Sequence, residues 1–98
     1  MRKARPHYPK MRDVAVMMRS LDVIPRDLPL RTGWRESLEH KTSNFRVAGQ
    51  TSQIEWSVDI YAGQYYIVRV GSRLTEECTN VLSVVAYLCR MLGVKRVS

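Results

Sequence analysis

The sequence predicts an α+β fold of two layers, with a helix, a three-stranded antiparallel sheet and a second helix in the order αβββα. Three observations carry that expectation: a helical apolar stripe near the N-terminus, an alternating hairpin in the middle, and a longer helical stripe near the end. Ninety-eight residues, 45% of them hydrophobic, can build one domain around one modest core. Residues 9–98 are assigned to that domain, and residues 1–8 to a basic flexible arm.

The first helix is expected at about residues 9–22. Met11, Val14, Met18 and Leu21 follow one another at spacings of three and four, while Arg12, Asp13, Arg19 and Ser20 face away. Pro9 is tolerated near a helix start, and Pro25 ends the pattern because the residue before a proline avoids the α region. Ile24 to Gly33 then reads as an extended connection with two prolines. Trp34 to His40 fits either a short helix or a first strand. Phe45 to Gly49 is a short strand closed by the polar turn Gly49-Gln-Thr-Ser52.

The hairpin over residues 53–70 follows. Ile54, Trp56, Val58 and Ile60 alternate with Glu55, Ser57, Asp59 and Tyr61, the period of a sheet with one face buried. Ala62-Gly63-Gln64 makes the turn, and Tyr65 to Val70 returns as an aromatic and β-branched strand. Of the return strand's two faces, one packs on the helices. The last helix is expected to start at Thr75 as N-cap, with Glu76 and Glu77 at the positive end of its dipole. Leu74, Cys78, Val81, Val85, Leu88 and Leu92 form its core stripe, and Gly93 is placed to end it.

The order helix–strand–strand–strand–helix over residues 9–93 resembles the topology of double-stranded-RNA-binding domains. That family opens its last helix with a basic cluster. Here the matching stretch, Ser72-Arg73-Leu74-Thr75-Glu76-Glu77, has one positive and two negative charges. The family's histidine-bearing loop between its first two strands corresponds to Gly49-Gln50-Thr51-Ser52, which has no histidine. The resemblance is one of element order.

Charge points to a partner class. Sixteen Lys and Arg against nine Asp and Glu leave a net charge of +7, and twelve of the sixteen are Arg. Residues 1–34 hold eight basic and three acidic side chains, whereas residues 35–98 hold eight and six. The guanidinium binds phosphate bidentately and stacks on bases, so an arginine excess favours nucleic acid. Arg2, Lys3, Arg5, Lys10 and Arg12 fall in the first twelve residues with no acidic residue among them. With Tyr8 as a stacking side chain, they suit contact with phosphates and unpaired bases. A solvated tail and an Arg-rich targeting leader are the other readings of this stretch. Arg26 and Arg31 in the connection extend the basic set. Tyr65, Ile67 and Arg69, beside Tyr61, would make an aromatic and cationic stripe if that face is open. Alternatively, Arg69 pairs with Asp59 or Glu55 across the hairpin.

Catalytic machinery does not assemble from this sequence. His7 sits in the arm, and His40 lies between Glu39 and Lys41 in a polar stretch, whereas a general base needs a fixed position. Glu36 with Glu39 is an i,i+3 pair on the same polar segment, and Glu76 with Glu77 already serves the cap. On one helix, Cys78 and Cys89 would stand about 16 Å apart along the axis, too far to bond or share a metal. No glycine spacing matches a phosphate-binding fingerprint, and no Cys/His set has zinc spacing. No enzyme activity, cofactor or metal is therefore expected. No apolar run reaches the ~18–20 residues that span a bilayer, and no apolar segment of a secretory signal follows the basic start. With only two cysteines, a reducing intracellular compartment (cytoplasm or an organellar matrix) is expected.

The function expected from these features is RNA binding as a structural subunit of a ribonucleoprotein assembly, of the ribosomal-protein type. Its partners would be RNA and the other protein subunits, with no membrane. The alternatives are a protein–protein adaptor, or a small DNA-binding or viral accessory module.

Overall fold

A computed structural model describes residues 8–37, 42–51, 53–62, 65–72 and 74–94. The order of elements is α1 (Met11–Ser20), one 3₁₀ turn (Leu21–Val23), β1 (Arg31–Ser37), β2 (Thr42–Thr51), β3 (Ile54–Tyr61), β4 (Tyr65–Val70), β5 (Leu74–Cys78) and α2 (Val81–Leu92). The five strands form one antiparallel sheet in sequence order, β1-β2-β3-β4-β5. The α+β class stands, but the three-stranded sheet is corrected to five strands.

Both added strands lie where helical chemistry competed with strand chemistry. β1 begins at Arg31, inside the presumed connection, and pairs with β2 from Arg31 opposite Ala48 to Ser37 opposite Thr42. Its exposed edge gives it no alternation of buried and polar residues to read. β5 occupies the stretch expected to open the last helix, with Leu74 opposite Val70 and Cys78 opposite Tyr66. Gly71, with φ +64°, turns the chain after β4 and makes that hairpin possible. α2 is capped instead by Asn80, whose side chain accepts the Ser83 N–H at 2.8 Å. Gly93 ends α2 in the left-handed conformation, φ +69°, as its position foretold.

In an antiparallel pair, directly opposed residues share a face. Phe45, Val47, Trp56, Val58, Ile60, Tyr66, Val68, Val70 and Cys78 all point to one side, and there they meet α1 and α2. The core joins Val14, Met17, Leu21 and Ile24 to Val84, Val85, Leu88 and these strand residues. Met17, fully buried, replaces Met11 in the N-terminal stripe, and Met11 is 63% exposed. Leu74 is likewise exposed because it sits on an edge strand, not on α2. The hairpin of β3 and β4 forms as expected, with Trp56 buried and its indole lying across Gly49. No helix among the described residues is long and apolar enough to cross a membrane.

Candidate functional site

With both helices on one side, the opposite face of the sheet is left without a covering layer. Three cross-strand rows make up most of it, beside the pair Gln50 and Glu55. The first row is Arg31, Ala48, Ser57, Arg69 and Thr75; the second is Gly33, Arg46, Asp59, Ile67 and Glu77; the third is Arg35, Asn44, Tyr61 and Tyr65. The small side chains at 33, 48 and 57 leave a groove of about 660 Å³, bordered by Arg31, Arg35, Arg46 and Arg69.

Asp59 organises two of these arginines. Although it belongs to the open face, it is fully buried beneath its partners. It accepts a hydrogen bond from Asn44 Nδ2 at 2.7 Å. Arg46 donates to both of its oxygens, from Nε at 2.7 Å and Nη2 at 3.1 Å, and Arg69 Nη1 donates as well. A buried carboxylate needs such neutralisation. One negative charge is thereby shared between two cations. The carboxylate raises the Arg46 pKa above its usual value, the hydrogen bond outweighing partial burial. Each guanidinium has five donors, and Asp59 takes only some of them. The remainder is held in a fixed place, which lowers the entropic cost of gripping an anion.

Arg31 and Arg35 are exposed on the edge strand, and Arg31 approaches Glu55 at 3.9 Å, with both side chains largely solvated. Four guanidinium groups against Glu55 and Asp59 leave the groove positive. In the third row, Tyr61 and Tyr65 stack with centroids 4.7 Å apart and planes 5° from parallel. Burial, and then the charge of Asp59, pushes the Tyr61 hydroxyl pKa up.

The structure therefore gathers Arg31, Tyr65 and Arg69 on one face and scatters the other expected contacts. Tyr8 packs edge-on against Trp34 at 5.4 Å and donates to Glu36, so it belongs to the folded body rather than to the arm. Lys10 and Arg12 are exposed at the start of α1, in the helical layer on the far side from the groove. Arg26 is turned inward, donating to the Leu21 carbonyl at 3.1 Å and approaching Asp22 at 3.5 Å. Arg2, Lys3, Arg5, His7 and His40 lie outside the described residues, as does the Gly63-Gln64 turn. Of the two readings of Arg69, both hold at once: it lies on an open aromatic face and it pairs with Asp59.

Arg35, Asn44 and Arg46 were missed. Arg46 and Asp59 are directly opposed, a pairing that becomes visible only once β2 is known to run from Thr42 to Thr51. Arg35 falls in the segment whose sequence fits either a short helix or a first strand. Cys78 and Cys89 are free and buried, one on β5 and the other on α2, which corrects their placement on a single helix. Among the described residues, no three His, Cys, Asp or Glu side chains gather as a metal site. In comparisons with known proteins, no family model, no curated protein and no solved structure matches this chain.

Proposed function

We propose that this chain is a non-enzymatic RNA-binding protein that receives the sugar–phosphate backbone on the uncovered face of its sheet, as a structural subunit of a ribonucleoprotein assembly. The observation that supports this reading best is the pair Arg46 and Arg69, locked by a buried carboxylate beside the exposed Arg31 and Arg35. Preorganised guanidinium groups over a groove floored by small residues fit phosphates, and the stacked Tyr61–Tyr65 pair in the third row offers a platform for an unpaired base. The net charge of +7 favours encounter with any polyanion, and Arg2, Lys3 and Arg5 would add contacts to it.

Titration of a labelled single-stranded RNA between about 50 and 200 mM salt tests the reading through the slope of log affinity against log salt. Replacing Arg31 and Arg35 with Ala spares Asp59 its partners. It should flatten the slope by about 1.4, at roughly 0.7 per lost phosphate contact. Deleting residues 1–7 removes Arg2, Lys3 and Arg5 and should flatten it by about two. Competition with DNA of the same sequence decides between the two nucleic acids. Salt-independent binding, or none at the lowest salt, would remove the reading. It would favour instead a protein partner at the exposed Tyr8, Met11 and Trp34.

A further inference from the structure

We propose that two copies of this chain join through β1, the two strands pairing antiparallel about a two-fold axis normal to the sheet. Each sheet ends on β1, and among the described residues no other strand pairs with its outer edge. Such an edge is a template for another chain unless something blunts it. β1 is seven residues long and contains no proline, and Arg31 to Glu36 are all exposed.

The second edge narrows the choice of partner. In this five-stranded antiparallel sheet, β1 and β5 run in the same direction. An antiparallel joint between them would turn one copy over and put the helices of the two copies on opposite sides. Pairing β5 with its own copy over its full length sets Glu76 against Glu76. Pairing β1 with its own copy keeps both helical layers on one side, because rotation about the sheet normal preserves the faces. The contact is isologous and closes as a dimer.

The sequence of β1 fits that symmetry in one register. Trp34 is the middle residue of Arg31–Ser37, so full overlap places Trp34 on the axis, opposite itself. Thr32 then opposes Glu36, Gly33 opposes Arg35, and Arg31 opposes Ser37. No like charges face each other directly. Opposed residues must share a face, and the nearest slips that respect this shorten the overlap to five residues. One of them sets Arg31 against Arg35, and the other sets Arg35 against itself.

The apolar surface lies at the same edge. Trp34 is 45% exposed, and beside it stand Tyr8 at 47% and Met11 at 63%. These three, with Pro9 and Glu36, line a groove of about 500 Å³ on the helix side of β1. The axis brings the two indoles together and joins the two grooves at one seam, and opposed aromatic pairs stabilise a sheet. On the open side, Arg35 lies across from Gly33 of the other copy and diagonal to its Arg31 and Arg35, roughly 7–8 Å away. Salt screens that repulsion. The inference stands apart from nucleic-acid binding: the pairing needs no nucleic acid, and its salt dependence has the opposite sign.

Sedimentation of the full, nucleic-acid-free chain over a range of concentrations tests it. The mean mass should rise from 11.4 kDa towards twice that value and no further, and added salt should favour association. Charges placed at two neighbouring positions read the register. A Cβ at position 33 meets nothing within 4 Å, and Thr32 is exposed, so both positions accept new side chains. Gly33→Glu, facing Arg35, should tighten association about fivefold, and Gly33→Lys should loosen it as much. At position 32 the signs reverse: Thr32→Lys, facing Glu36, should tighten association and Thr32→Glu should loosen it. A general effect of net charge on a chain of +7 would favour the acid at both positions. Glu76→Gln, on the other edge, should change nothing. Circular dichroism checks the fold of each variant, and either position alone suffices if variants at the other fold poorly. A monomer at millimolar concentration, growth beyond the dimer, association lost as salt rises, or acid favoured at both positions would each overturn the proposal.

Discussion

Trp56 and Gly49 oppose each other across β2 and β3, and their sizes are matched: a Cβ at position 49 would overlap the indole Cζ2 and lie only 2.7 Å from Cε2. Trp56→Ala should cost about 3–5 kcal/mol in urea denaturation, and Gly49→Ala about 1–3 kcal/mol through overpacking. Glu55→Ala, on the neighbouring exposed position, should stay within about 0.5 kcal/mol. A parent-like Trp56→Ala would contradict the placement of this residue in the core. The Asp59 cluster has a built-in asymmetry of the same checkable kind. Its carboxylate is fully buried, while the Arg46 and Arg69 side chains are 31% and 44% exposed. Removing the carboxylate therefore leaves two cations that water can reach. Removing Arg46 leaves a buried anion with one arginine and one amide. Arg46→Ala should thus destabilise by about 3–5 kcal/mol, and Asp59→Asn by distinctly less. The opposite ranking in the same denaturation series would mean that Asp59 is not the buried member of the cluster.

At the scale of elements, the junction of β5 and α2 shows why part of the fold was legible and part was not. Thr75-Glu76-Glu77 has the composition of a helix start, and so does Asn80 followed by an apolar run. Local chemistry rates the two about equally. Tertiary context separates them, because Gly71 turns the chain back and β4 has a free edge waiting for Leu74 to Cys78. Asn80→Ala should therefore cost about 1 kcal/mol by removing the bond to the Ser83 N–H, whereas Thr75→Ala should leave the stability of α2 unchanged. Equal effects in thermal melts would return the helix start to Thr75. The β3–β4 hairpin and the body of α2 could be read from periodicity because each buries one face only. β1 could not, since an edge strand exposed along its described side chains carries no periodic signal. The candidate site was half legible for the same reason. Arg31, Tyr65 and Arg69 stood out by charge and aromaticity, but Arg35 and Arg46 join them only through strand register.

For the molecule as a whole, two layers sharing one core place several protonated groups where burial disfavours their ionised forms. Tyr66 lies between the sheet and α1, and its hydroxyl pKa is pushed above 10.0 by burial and then by Asp13. The Cys78 thiol on β5 is pushed above 9.0 by burial and then by the nearby Glu76. Tyr61 on the open face is raised as well, by burial and then by Asp59. The three sites lie on different strands, yet the shifts share one sign. A pKa that is higher in the folded chain than in the unfolded one means the folded state keeps its proton longer. Each such group contributes stability that is fully present below the unfolded value and is lost as pH rises through the folded value. The melting temperature should therefore hold steady through neutral pH. It should begin to fall near pH 9, where unfolded thiols ionise, and fall more steeply above pH 10, where unfolded phenols do. Tyr66→Phe cannot ionise at that site, so it should flatten the alkaline decline whatever it does to stability at neutral pH. Melts of parent and variant across pH 7–11 read the slope directly. A parent whose melting temperature is unchanged to pH 11, or a Tyr66→Phe variant with the parent's slope, would show that the phenol of Tyr66 ionises as freely in the folded chain as in the unfolded one.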